Sequence, residues 1–296
     1  MSLERVVVGV DFTEGSTAAA RWVARELAPD AELVLVYVVD IPTPPAFLQG
    51  AFPPHDELVQ TTIRGAEARL RELGGELRAR LMWTKVRVGQ PAEEIAAEAE
   101  EMHAGLIVVG EHGKRRGFWD VLGSTAERLV ARSSVPVLVA RGSPQQPPRR
   151  ILAPVDESPV TAAVLELAWE LAMRFNARVT ALHALPSSLY DHPRAETLTG
   201  RLDLDELARS GARQWLEQEL AAAGFGPGEA DVLVTMGNVR DEIRTAAERL
   251  EADLIIMGSR GSTTGIERVI LGSVASAVLR GANCPVLVVP PRTGES

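Results

Sequence analysis

Val6-Val7-Val8-Gly9-Val10-Asp11 is an apolar run that closes on a carboxylate, and it returns as Ile151-Leu152-Ala153-Pro154-Val155-Asp156. Asp11 recurs as Asp156, an offset of 145. Three further runs recur in the same order. Ala31 to Val39 returns as Ala177 to Leu185 at an offset of 146, and Leu106–Gly110 as Leu254–Gly258 at 148. Val135-Pro136-Val137-Leu138-Val139 returns as Cys284-Pro285-Val286-Leu287-Val288 at 149. Kept order with a slowly drifting offset is the signature of one domain used twice.

Within each copy the runs read as short strands without polar alternation, as expected for strands buried on both faces of a parallel sheet. In the first copy they are Val6–Val10, Leu33–Val39, Leu106–Val109 and Val137–Val139, with a further strand expected at Trp83–Val88. Amphipathic stretches lie between them at Ser16–Leu27, Pro91–Met102 and Ser124–Ala131. Their partners in the second copy are Val160–Arg174, Val239–Leu250 and Ser273–Leu279, with a strand at Val232–Thr235. The pattern is βαβαβαβαβ twice: an α/β fold of two tandem, open, doubly wound five-stranded sheets. Gly142 to Pro148 has three prolines and no apolar periodicity, so the domains are expected at 1–141 and 150–296, joined by a Pro-rich linker at 142–149.

Composition narrows the function. The chain has 296 residues, 31 Lys+Arg and 40 Asp+Glu, a net charge of −9 that disfavours general nucleic-acid binding. Cys284 is the single cysteine, so an intramolecular disulfide and Cys-based zinc sites are excluded, and it is expected to be buried. The histidines (His55, His103, His112, His183, His192) show no zinc-protease spacing, and His183 reads as a satisfied buried residue. No leader-like segment or membrane-length apolar stretch is seen, so the expected setting is the cytoplasm, with no membrane partner.

Ligands of such sheets collect beyond the carboxyl ends of the strands, near the switch point. The first strand ends there on Asp11, and its repeat on Asp156. Either carboxylate suits a ribose hydroxyl or a metal's waters, and either suits a helix cap. The fourth strand runs into Gly110-Glu111-His112-Gly113 and then Gly123-Ser124. Its repeat runs into Gly258-Ser259-Arg260-Gly261 and then Gly272-Ser273. Glycines and a helix start suit a phosphate. Ser124 to Glu127 also reads as a capping box, whereas the second copy has Ser276 in place of the glutamate. A Walker A loop, a dinucleotide fingerprint after the first strand and a nucleophile elbow are all missing from the sequence, and no catalytic residue is assigned.

Gly110, Gly113, Gly123 and Ser124, with nine residues (114–122) between the second and third glycines, resemble the ATP-binding branch of the universal stress protein family. The resemblance is to its tandem two-domain members and covers nearly the whole chain. It implies an adenine nucleotide alpha hydrolase-like, Rossmann-like fold whose last strands pair across a twofold, here as an intramolecular pseudo-dimer. The nine residues Gly142–Arg150, reaching roughly 30 Å when extended, permit that arrangement. It also implies a nucleotide site in each half. In the first, Gly9, Val10 and Asp11 would sit near adenine and ribose, and Val38 would offer backbone to the adenine edge. Gly110, His112 and Gly113 would line the phosphates, with Gly123, Ser124 and Thr125 at the helix start. The second set is Pro154, Val155, Asp156 and Ala184, then Gly258, Arg260, Gly261, Gly272, Ser273 and Val274. There the spacing is ten residues (262–271), an extra residue that either bulges harmlessly or misplaces phosphate-binding amides.

The cofactors implied are ATP and Mg²⁺ arriving with the nucleotide, with no protein-only metal site. The resemblance implies a nucleotide-responsive stress regulator and leaves a homodimer of the two-domain chain open. A slow ATP hydrolase or nucleotidyl-transfer enzyme is the second reading. An interaction scaffold with vestigial sites is the third.

Overall fold

The computed structural model describes residues 3–41, 54–77, 79, 81–111, 123–186, 204–261 and 271–291. The chain divides into two compact units, Met1–Pro147 and Pro148–Ser296.

Unit 1 is built on five strands: β1 (Arg5–Gly9), β2 (Glu32–Val39), β3 (Leu81–Val88), β4 (Leu106–Gly110) and β5 (Val137–Ala140). Their order is β3-β2-β1-β4-β5, and each neighbouring pair is parallel. Val7 lies level with Val34 on one side and Ile107 on the other. Valines and leucines fill β1, β2, β4 and β5 because these strands have packed layers on both faces, and most of their residues are buried. The chain moves outward from β1 to β3, then crosses back to β4 on the other side of β1. The crevice between β1 and β4 is therefore the switch point.

Four helices make the crossovers: α1 (Glu14–Trp22), α2 (His55–Leu77), α3 (Pro91–Glu101) and α4 (Ser124–Arg132). α2 fills the second crossover, where the repeated runs alone had placed no helix. Its buried Ala66, Leu70, Leu73 and Leu77 recur at helical spacing. The stretch expected as one helix from Ser16 to Leu27 starts at Glu14 and passes into a π-helical turn at Val23–Leu27, closed by Ala28 N–H on Val23 O at 2.9 Å. Pro29 follows at once and cannot continue a helix.

Unit 2 repeats the plan. Its strands are β6 (Arg150–Pro154), β7 (Arg178–Leu185), β8 (Ala230–Met236), β9 (Leu254–Gly258) and β10 (Val286–Val289), in the order β10-β9-β6-β7-β8, with every pair parallel. Its helices are α5 (Thr161–Phe175), α6 (Leu204–Ala222), α7 (Val239–Arg249) and α8 (Ser273–Gly281). Asn176 ends α5 in the left-handed conformation (φ 51°), a common helix stop for this residue type.

The joining segment is held at both ends. Trp22 Nε1 donates to Gln146 O at 2.8 Å within unit 1. In unit 2 the Asp253 carboxylate accepts from the Arg149 and Arg150 amides at 2.9–3.1 Å. Cys284 is buried. Among the described residues, no helix is long and apolar enough to cross a membrane.

Candidate functional site

In unit 2 the carboxyl ends of β6, β7 and β9 open onto a cavity of ≈ 550 Å³. That lies in the range of small-molecule sites. All ten residues expected from the sequence reach it: Pro154, Val155, Asp156, Ala184, Gly258, Arg260, Gly261, Gly272, Ser273 and Val274. They come from four separate stretches, and the switch point brings them together.

Close approach explains the glycines. A Cβ on Gly258 would stand 2.4 Å from Val160 Cγ1, and one on Gly261 would stand 2.6 Å from an Asp156 carboxylate oxygen. One on Gly272 would stand 3.1 Å from Ser259 O, because Gly272 N–H donates to that carbonyl at 2.9 Å. The turn after β9 is thus laid against both the first strand's carboxylate and the start of α8. Ser276 N–H bonds to Gly272 O, so the amides of Ser273, Val274 and Ala275 have no acceptor inside the helix. Those amides, the helix dipole and Arg260 make one end of the cavity suited to an anion. The other end is lined by Val155, Val164, Leu182, Ala184, Leu185 and Met257, and suits a flat apolar group.

His183 was expected to be a satisfied core residue. It is satisfied, with Nδ1 3.0 Å from Val155 O, but it is only half-buried and lies on the cavity wall. Its ring meets Trp215 edge-on at 5.0 Å. Glu157, Val160, Thr161, Val239 and Ile243 also line the cavity and were not singled out. The helical periodicity of α5 and α7 marks their apolar residues as facing the sheet, but it cannot say which of them stop short of closing the layer.

Unit 1 has the same strand ends. Asp11 accepts from Thr13 N at 3.0 Å and Thr13 Oγ1 at 2.6 Å, and Thr13 in turn caps α1 by accepting from Ser16 N at 3.3 Å. Gly110 lies against the start of α1, since a Cβ there would stand 3.0 Å from Ser16 N. Gly9, Val10, Asp11, Val38, Gly110, Gly123, Ser124 and Thr125 are described; His112 and Gly113 lie outside the described residues, as do 42–53 and 187–203. The extra residue of the second phosphate loop also falls in an undescribed stretch. Three positions missed from the sequence stand beside Asp11. Phe12, at φ 63°, stacks on Tyr37 at 5.1 Å, and the Arg69 guanidinium lies 3.9 Å above the Phe12 ring. Their counterparts by repeat offset are Glu157, His183 and Trp215, so the residues near the first-strand aspartate differ between the units.

The capping alternatives are corrected by the geometry. Asp11 does not cap α1, because Thr13 does. The residue before α5 is Val160, with no side-chain cap, so Asp156 does not cap that helix. Ser124 and Ser273 are the first helical residues, preceded by Gly123 and Gly272 as caps with no side-chain bond. The capping box read at Ser124–Glu127 does not form, since a box needs its serine outside the helix. Both hydroxyls are exposed at a helix start.

Comparison with known proteins gives the same picture of a doubled domain. A universal stress protein of Mycolicibacterium smegmatis is 28% identical over 308 residues, covering 97% of this chain and 97% of its own. One of Mycobacterium tuberculosis is 29% identical over 303 residues, covering 96% of each. The crystal structure of a universal stress protein from Archaeoglobus fulgidus superposes with a TM-score of 0.71 at 20% identity, covering 98% of this chain and 100% of that one. The profile of the Universal stress protein family matches residues 2–141 and again 148–290. The chain therefore belongs to the universal stress protein family, with two of its domains in tandem.

Proposed function

We propose that this protein binds ATP, with its Mg²⁺, at the switch points of its two units and acts as a nucleotide-responsive stress regulator in the cytoplasm. One observation carries the reading. In unit 2 a single cavity runs from an apolar end, past the Asp156 carboxylate, to a glycine turn, Arg260 and the start of α8. That is the order adenine, ribose and phosphates require. Magnesium would be held mainly by phosphates and water, which asks for no ligand cluster from the protein.

Unit 1 supports a second site through Asp11, Gly110 and the Gly123-Ser124 helix start, together with the nine-residue spacing of its loop. The nucleotide is taken as a ligand rather than a rapidly consumed substrate.

The test is mass spectrometry of small molecules released on denaturing the purified protein, followed by calorimetric titration with ATP and Mg²⁺. Released or titrated ATP at one or two per chain supports the reading. No nucleotide and no binding heat would leave a scaffold with vestigial sites. Sustained hydrolysis well above background, reduced by Asp156→Ala, would turn the reading toward an enzyme.

A further inference from the structure

The sheet edge at the third strand is protected differently in the two units. In unit 2, β8 is the edge strand. Gly237 N–H donates inward to Leu185 O at 2.9 Å, so by strand alternation Val232 and Val234 turn their main-chain groups outward. Two guanidiniums from α6 sit over those carbonyls: Arg213 reaches Val232 O at 3.3 Å and Arg209 reaches Val234 O at 3.5 Å. Each contact is long, but cations laid over an edge deter strand addition.

In unit 1, β3 is the edge strand and β2 its neighbour. Gly89 N–H donates inward to Val39 O at 3.1 Å, so Met82, Thr84, Val86 and Val88 turn outward. The helix segment Arg209-Ser210-Gly211-Ala212-Arg213 aligns with Ile63-Arg64-Gly65-Ala66-Glu67. The two guarding arginines are therefore Ile63 and Glu67 in unit 1. Three of the strand's five exposed residues are apolar: Leu81 is 55% exposed, Trp83 53% and Val88 52%, beside Thr84 and Lys85.

We propose that β3 is an interaction edge whose occupant is a second copy of this chain, paired antiparallel β3 to β3 about a twofold at Thr84. Charge and strand overlap together select the register, and Trp83 with Lys85 makes the edge complementary to itself. Outward residues must face outward residues, so Thr84 can stand opposite Met82, Thr84, Val86 or Val88 of the other copy. Thr84 opposite Met82 overlaps the strands only from Leu81 to Lys85. Thr84 opposite Val86 brings Lys85 against Lys85, and Thr84 opposite Val88 brings Lys85 against Arg87. Both place like charges in direct opposition, which is unfavourable. Thr84 opposite Thr84 instead places Trp83 against Lys85, twice, as cation–π pairs, with Met82 against Val86. It also overlaps the strands from Leu81 to Arg87.

Single-cysteine chains test the register, with Cys284→Val as background because Val135 holds the corresponding place in unit 1. Opposed Thr84 positions would have Cα atoms about 5.5 Å apart, within disulfide reach. Thr84→Cys should give a reducible covalent dimer on mild oxidation, whereas Met173→Cys, 65% exposed in unit 2, should not. Sedimentation of the full chain should show concentration-dependent dimers that Ile63→Arg with Glu67→Arg weakens about ten-fold or more. Failure of Thr84→Cys to cross-link more than Met173→Cys would overturn the proposal. So would a dimer unaffected by both the added arginines and Thr84→Pro, which removes an outward N–H.

Discussion

At the scale of single residues, the second unit's cavity depends on the absence of side chains at three glycines, Gly258, Gly261 and Gly272, and on one cation. Gly261 touches the Asp156 carboxylate closely enough that any Cβ displaces it. Gly261→Val should abolish binding in unit 2, leaving the fold intact by circular dichroism and lowering calorimetric stoichiometry by one. Arg260 stands at the anion end. Arg260→Ala should raise the ATP dissociation constant about ten-fold, equivalent to about 1.4 kcal/mol, with a smaller loss for Arg260→Lys. A residue that works structurally is Arg87. It donates to Glu98 at 2.6 Å, to Glu94 at 3.2 Å and to Glu101, and Glu98 is almost wholly buried. The bond to Glu101, with those to Glu98 and Glu94, raises the Arg87 pKa above the ordinary arginine range despite burial. A raised folded-state pKa contributes stability that is complete below the unfolded value, so this cluster holds at any physiological pH. Arg87→Leu leaves Glu98 buried without its cation and should cost about 3 kcal/mol in urea unfolding. Pairing it with Glu98→Leu should recover most of that loss.

At the scale of elements, helix starts separate stability from function. Thr13 is a true cap, so Thr13→Ala should cost about 1 kcal/mol of unfolding free energy. Ser124 lies one place inside α4, so Ser124→Ala should leave denaturant stability nearly unchanged while weakening nucleotide binding in unit 1. Equal losses of stability for the two variants would restore the capping-box reading of Ser124. This is also where the limits of sequence show. The central strands were legible because a strand buried on both faces must be continuously apolar, as Val6–Val8 and Leu106–Val109 are. That Asp156 and the Gly258–Gly261 turn meet at one cavity was legible because topology fixes which strand ends share a switch point, whereas Ala184 and Val274 were named only through the family resemblance. Caps were not, because Ser-Thr-Ala-Glu fits either placement and only the backbone path through Gly123 decides it. The Phe12, Tyr37 and Arg69 stack was hidden for another reason. Its members come from a turn, a strand and α2, and no local spacing links them.

At the scale of the whole chain, doubling makes one site the control for the other. Each unit carries its own switch point, and the chemistry beside the first-strand aspartate differs between them. Phe12, Tyr37 and Arg69 in unit 1 stand where Glu157, His183 and Trp215 stand in unit 2. The two affinities should therefore differ, and titration of the wild-type chain should need two constants. Gly123→Val should remove the unit 1 isotherm and Gly261→Val the unit 2 isotherm, with the double variant silent. Ligand that binds only the folded state stabilises it by about 2.7 kcal/mol at a hundred times its dissociation constant. Hydrogen exchange should thus show ATP protecting β9 and α8 in Gly123→Val, and β1 and α1 in Gly261→Val. Protection appearing in both units of a single-site variant would mean that occupancy of one unit is transmitted to the other, and independent sites would have to be abandoned.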